Sequence, residues 1–129
     1  MKVKSLLLCA ALASPSVYAL EFTTNATEED YQMVGLQLTS YIAYSTRPEF
    51  CNSYPTPKIN NAVKELRSLK ESMNPWYETE YNQGVAVAKR ILANTNPATN
   101  KAECDDLDIS IGESHAKTMS KMKQLYLIR

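Results

Sequence analysis

Apolar residues recur along this chain at helical spacing, and no useful length of it alternates as a strand would. Between Thr27 and about Thr46, Tyr31, Val34, Leu38, Tyr41, Ile42 and Ser45 share one helical face. Met33, Leu36 and Tyr44 make a second apolar strip on the same helix. Thr27 reads as its cap, with Asp30 three residues on and Glu28 and Glu29 suited to the positive helix end. A helix apolar on more than one side is either central to a core or has a groove to fill. Core packing is the commoner use of such a strip, and the groove is the functional one.

Arg47-Pro48 ends that helix, because the residue before proline disfavours helical geometry. Cys51 to Pro57 reads as a constrained loop, with Thr56 and Pro57 as cap and first position of a second helix. Its stripe is Ile59, Ala62, Val63, Leu66, Leu69 and Met73; Lys64, Glu65, Arg67, Lys70 and Glu71 form a solvated face. Asn74-Pro75 stops it and opens a third helix, where Trp76, Tyr77, Tyr81, Val85, Ala88, Ile91 and Leu92 follow at helical spacing. Gly84 in mid-helix costs stability and predicts a close helix crossing. A fourth helix begins around Ala98 to Lys101, with Cys104, Leu107, Ile111, Ser114 or His115, Thr118, Met122 and Leu125 approximating a heptad seam. Tyr126-Leu127-Ile128 makes a small apolar tail. The fold expected is all-α, a small four-helix bundle in up-down order or a variant of it.

The first 19 residues follow a different grammar. Lys2 and Lys4 form a basic start, Ser5 to Ala13 an apolar run, and Val17-Tyr18-Ala19 a cleavage site. We read 1–19 as a secretory signal peptide and 20–129 as a single helical domain. The apolar run is far short of the ~20 residues that span a bilayer. Cys9 follows Leu6-Leu7-Leu8, whereas a lipobox takes a small residue just before its cysteine, so Cys9 reads as part of the leader. Leu20 to Ala26 is polar and is expected to be loose. It holds Asn25-Ala26-Thr27, a sequon that matters only in a eukaryote.

Processing changes the charge and the cysteine count. The chain has 14 basic and 14 acidic residues; losing Lys2 and Lys4 leaves a net charge of −2. That balance argues against nucleic acid as a partner. Cys51 and Cys104 are then the remaining cysteines, and an even count in an exported chain suggests that they pair. Their spacing is not the Cys-x-x-Cys of a redox motif, so the bond reads as structural, joining the end of the first helix to the start of the last.

Candidate chemistry is thin. His115, the one histidine, reads as a partly buried structural residue, because spacing identifies no catalytic partner. Ser114 adjoins it, but adjacent helical residues do not face each other. A calcium loop counted from Asp106 places Ile111 and Lys117 where glycine and glutamate belong. Glu78 and Glu80 are two apart on a helix and point apart. We therefore expect no enzyme, no cofactor and no metal site. What remains is surface: of eight tyrosines only Tyr18 falls in the leader, and aromatic residues anchor interfaces. Tyr31, Tyr41, Tyr77 and Tyr81 lie on core stripes, which leaves Met33, Leu36 and Tyr44 as the candidate groove for a partner's amphipathic helix.

The order of these features resembles the PulS/OutS-like pilotins of type II secretion. The matching residues are YIAYSTRPEFC, then Pro55 or Pro57, Ile59 to Leu69, Asn74-Pro75-Trp76, Tyr81 to Leu92, and Ala102-Glu103-Cys104. The likeness runs from about Tyr31 to Met119 and consists of cysteine spacing and helical stripes. It implies a periplasmic chaperone that accepts the C-terminal helix of a secretin subunit in a groove lined by the first helix, and assists its outer-membrane targeting or assembly. Pilotins are typically lipoproteins, and the absence of a lipobox here implies a soluble periplasmic form or another partner. The alternatives are a periplasmic stress chaperone or a toxin-immunity protein. In the first, the acidic cluster from Glu103 to Asp108 would expose apolar surface on protonation.

Overall fold

A computed structural model describes residues 20–98 and 100–126, with side chains described as far as Lys123. The leader, its cleavage site and Cys9 lie outside the described residues, as do residues 127–129 of the apolar tail. The fold of the described residues is all-α, with four α-helices among them: α1 (Glu28–Thr46), α2 (Pro57–Glu71), α3 (Glu78–Ala93) and α4 (Lys101–Tyr126). A short 3-10 turn, Pro75–Tyr77, joins α2 to α3. No helix among the described residues is long and apolar enough to cross a membrane.

The expected stripes find each other around α1. Val34, Leu38 and Tyr41 of α1 meet Ile59, Ala62, Leu66 and Leu69 of α2 and Ile111, Met119 and Met122 of α4 in one buried cluster. Each such side chain contributes about 1.5–3 kcal/mol by leaving water. Ala43, Phe50 and Leu92 close the lower end, with Tyr44 and Ala98 packed on them. Tyr31 meeting Tyr77 at the top, and Ala43 meeting Leu92 below, set α1 and α3 parallel. Asp108 lies by Ile59 and His115 by Glu65, so α2 and α4 are also parallel. The result is a three-helix core of α1, α2 and α4, with α3 clamped outside α1.

That clamp is made of backbone. A Cβ on Gly84 would overlap Gln32 O and stand 2.8 Å from Leu36 N. A Cβ on Gly35 would overlap Tyr81 O. Both helices thus surrender a side chain at one crossing. Gly84 was expected to permit such an approach; its counterpart Gly35 becomes apparent only in three dimensions.

Three local expectations are corrected. Leu20 to Ala26 is not loose at its start. Leu20 is 6% exposed and joins the core. Its N–H donates to Ser68 Oγ at 2.9 Å, and Phe22 N–H donates to Ser72 Oγ at 3.0 Å, strapping the chain along α2. Phe22 then begins an aromatic ladder through Tyr31 to Tyr77, with centroids 4.4 and 4.3 Å apart. Next, the third helix does not begin at Pro75. Asn74 Oδ1 caps the 3-10 turn by accepting from Trp76 N–H, and the turn swings Trp76 outward to 86% exposure. A single turn of 3-10 geometry shifts register, so Trp76 leaves the stripe that Tyr81 continues. Ile91, read on the same stripe, is 46% exposed.

The third correction concerns the start of α2. Thr56 is the cap residue by position, yet its side chain makes no cap hydrogen bond. Asp108 of α4 supplies the acceptor instead: its carboxylate takes Ile59 N–H at 2.9 Å and Lys58 N–H at 3.4 Å. A carboxylate at a helix N-terminus satisfies orphan N–H groups and opposes the positive dipole end. Asp108 is buried, so removing it leaves those donors dry. Asp108→Ala is expected to cost about 2 kcal/mol, and Asp108→Asn, which keeps an acceptor, about half of that. Urea denaturation of the two variants checks the order.

The disulfide is where the cysteine count placed it. Cys51, in the turn after α1, and Cys104, in the first turn of α4, are bonded with Cα atoms 5.6 Å apart. Both are fully buried. Asn100 starts α4 by accepting from Glu103 N–H at 2.9 Å.

Candidate partner-binding groove

Three helices contact α1, but they leave part of its circumference open. α3 covers the side bearing Gln32 and Gly35, and α2 covers the side bearing Val34 and Leu38. α4 runs antiparallel to α1 on the third side. Tyr41 hydrogen-bonds Ser114 there, and Met33 shares a small hollow with Thr118, Lys121 and Met122. Burial pushes the Tyr41 hydroxyl's pKa up, and the Ser114 bond partly offsets that. α3 and α4 do not pack on each other along their length. The α1 surface between them is therefore bordered by two helices that are not joined across it, with Ser40 at its centre 6% exposed.

Helical register places Met33, Leu36, Gln37, Ser40 and Tyr44 along that surface. Met33, Leu36 and Tyr44 are all half-buried. The structure brings the three candidate residues onto one strip, and it gives them different attachments. Met33 packs against the main core on the α4 side. Tyr44 stands edge-on to Phe50, centroids 5.1 Å apart, and joins both core clusters. Leu36 belongs to neither cluster among the described residues, and its backbone lies at the Gly84 crossing. Leu36 is thus the member of the three with least structural work inside the domain.

The α3 wall was not anticipated. Tyr81 leans toward α2, where Lys70 Nζ lies 4.8 Å from its ring centre. Residues on the opposite edge of the same helix, Glu80, Val87 and Ile91, therefore border the strip. The half-exposure of Ile91 is the surface sign of that edge. In sequence these residues were hidden in an ordinary amphipathic stripe. Only the Gly35–Gly84 crossing fixes which edge of α3 turns toward α4.

A larger hollow than the one at Met33 lies elsewhere. A cleft of about 660 Å³ between α2 and α4 is lined by Lys58, Asn61, Glu65, Gly112, His115 and Met119, among others. It is polar at its heart: His115 is 4% exposed and its Nε2 lies 2.6 Å from Glu65 Oε1. Glu65 had been read as part of a solvated face, and His115 as structural. Their pairing joins two helices through one partly buried hydrogen bond. Sequence spacing held no signal for it, because the partners are 50 residues apart. Among the described residues, no group of three or more His, Cys, Asp and Glu is arranged to hold a metal ion.

No protein-family model, curated protein or solved structure matches this chain.

Proposed function

We propose that this chain is an exported, non-enzymatic binding protein of the periplasm, pilotin-like in its work. It accepts the C-terminal amphipathic helix of a secretin subunit along the α1 strip and assists that subunit's outer-membrane targeting or assembly. One observation supports the reading: α1 is central to the fold, and its partly exposed Met33, Leu36 and Tyr44 lie between two helices that do not pack on each other. A buried central helix with one partly exposed apolar side suits a helix-in-groove partner, which reads such a strip through residues at i, i+3, i+4 and i+7. The leader-like start and the disulfide support an oxidising compartment.

The test is capture of a secretin C-terminal helix by the chain beginning at Leu20. Leu36→Glu should weaken capture by about tenfold or more, the cost of placing a carboxylate in an apolar contact. Leu36 is outside both core clusters, so the variant should remain folded, which circular dichroism confirms or denies. Undiminished capture by folded Leu36→Glu would remove the groove from the mechanism. Capture of many unrelated clients, and only at acid pH, would replace the pilotin reading with that of a stress chaperone.

A further inference from the structure

The strip between α3 and α4 carries Met33, Leu36 and Tyr44 around a buried Ser40, with polar residues at its borders. Two polar atoms at those borders are buried without a hydrogen-bond partner: Gln37 Oε1 on α1 and Glu80 Oε1 on α3. Gln37 follows Leu36 directly and stands one turn beyond Met33. Glu80 stands one turn before Gly84, on the α3 edge that turns toward α4. Both atoms are acceptors, and a carboxylate oxygen can only accept when ionised. A buried acceptor without a donor is costly, and folded proteins leave few of them. Two of them along one open strip mark what the strip lacks.

We propose that the groove selects a cationic amphipathic helix, whose lysine or arginine side chains flank its apolar stripe and pair with Glu80 and Gln37. The proposal rests on the helix-binding reading above and names the chemistry of the partner. Lysine and arginine bring donors and no acceptors, so a residue of either type on each flank suits the atom it meets. An apolar flank would leave Glu80 dry, and an acidic flank would add like-charge repulsion.

The surrounding charges point the same way. α1 and α3 are parallel, so their acidic first turns lie at one end of the groove: Glu28, Glu29 and Asp30 on α1, Glu78 and Glu80 on α3. Asp30 is occupied by Thr27, whose N–H donates to Asp30 Oδ2 at 2.7 Å. On the α4 side, Lys121 borders the hollow at Met33. At that end Glu29 and Asp30 line the hollow beside Met33 with Lys121 as its cation, and Glu80 adds a carboxylate from the α3 border.

Three synthetic peptides with one leucine stripe, flanked by lysine, glutamine or glutamate, serve as probes. Binding is read at low salt by anisotropy of a peptide-borne dye, because surface pairing weakens with ionic strength. The lysine-flanked peptide should bind about tenfold tighter than the glutamate-flanked one. Glu80→Gln should remove most of that difference, and Glu80→Lys should reverse the order. Melting curves for both variants guard against a fold effect, since Glu80 also sits in the favourable first turn of α3. If the three peptides bind alike, or if Glu80→Lys in a folded protein changes nothing, the charge selection is wrong and the groove reading survives. If none binds, or if Leu36→Glu leaves binding intact, the groove reading falls and takes this proposal with it.

Discussion

Gly84→Ala is expected to destabilise the protein by about 3 kcal/mol, or roughly 12 °C or more in Tm. The sign is the opposite of the usual one. Alanine in mid-helix ordinarily gains about 0.5–1 kcal/mol over glycine through backbone entropy. Here the new methyl would overlap Gln32 O and stand 2.8 Å from Leu36 N, both backbone atoms of a packed helix. Neither can rotate away, so α3 must lift off α1, and Ala88 and Leu92, both buried, lose cover with it. Gly112→Ala is the control. Its methyl would meet Lys58 Cδ at 2.8 Å, which can rotate away, and Lys58 Cβ at 2.9 Å, which asks only a small shift of α2 rather than the overlap with a backbone carbonyl oxygen that Gly84 meets. It should cost much less than Gly84→Ala in the same thermal melt. Equal effects from the two would mean that the crossing is not held by backbone proximity.

Replacing Cys51 and Cys104 together by alanine should cost about 4 kcal/mol. The sequence separation is 53 residues, and in the chain-entropy account the bond restricts an unfolded loop of that length. Typical small domains have about 5–15 kcal/mol in total, so the cysteine-free variant should be close to its limit. Oxidised and cysteine-free proteins compared by guanidinium denaturation give the difference. The bond also fixes the lower end of α1 to the start of α4, whose side forms one wall of the groove. Peptide affinity should therefore fall along with stability. If a folded cysteine-free variant binds the lysine-flanked peptide as well as the parent, the staple serves stability alone.

The residues on each helix that face inward were largely evident from periodicity. Val34, Leu38, Tyr41, Ile59, Leu66, Leu69 and Ile111 were on expected stripes and lie in the core. The seam on α4 was less accurate, because a strict heptad drifts from a real helix. Cys104, Ile111, His115 and Met122 of the expected seam are buried, and the buried set also takes in Asp108 and Met119, which the seam left out. The burial of the two polar residues depends on partners far away in sequence: Ile59 N–H for Asp108 and Glu65 for His115. Periodicity prices a polar residue as a surface residue unless such a partner is known. The same gap hid the Leu20 strap. Its attachment is a backbone N–H on a serine, and that pairing leaves no mark in the sequence.

For the groove, the apolar strip was visible and its surroundings were not. Met33, Leu36 and Tyr44 stood out because α1 is apolar on two sides. Whether the second side is covered depends on where α3 and α4 dock, and docking is a sum over the whole domain.

The chain's own order of residues thus determined the helices, the proline and asparagine stops, the glycine that permits a close crossing and the cysteine pair. Each is local, or counted, and follows from helical periodicity, backbone sterics and the number of cysteines. Tertiary structure alone decided that Gly35 answers Gly84, that Asp108 caps a helix 50 residues before it, and that α3 and α4 dock on α1 without packing on each other. Those outcomes rest on contacts between distant segments, where the position of one helix sets what another may bury.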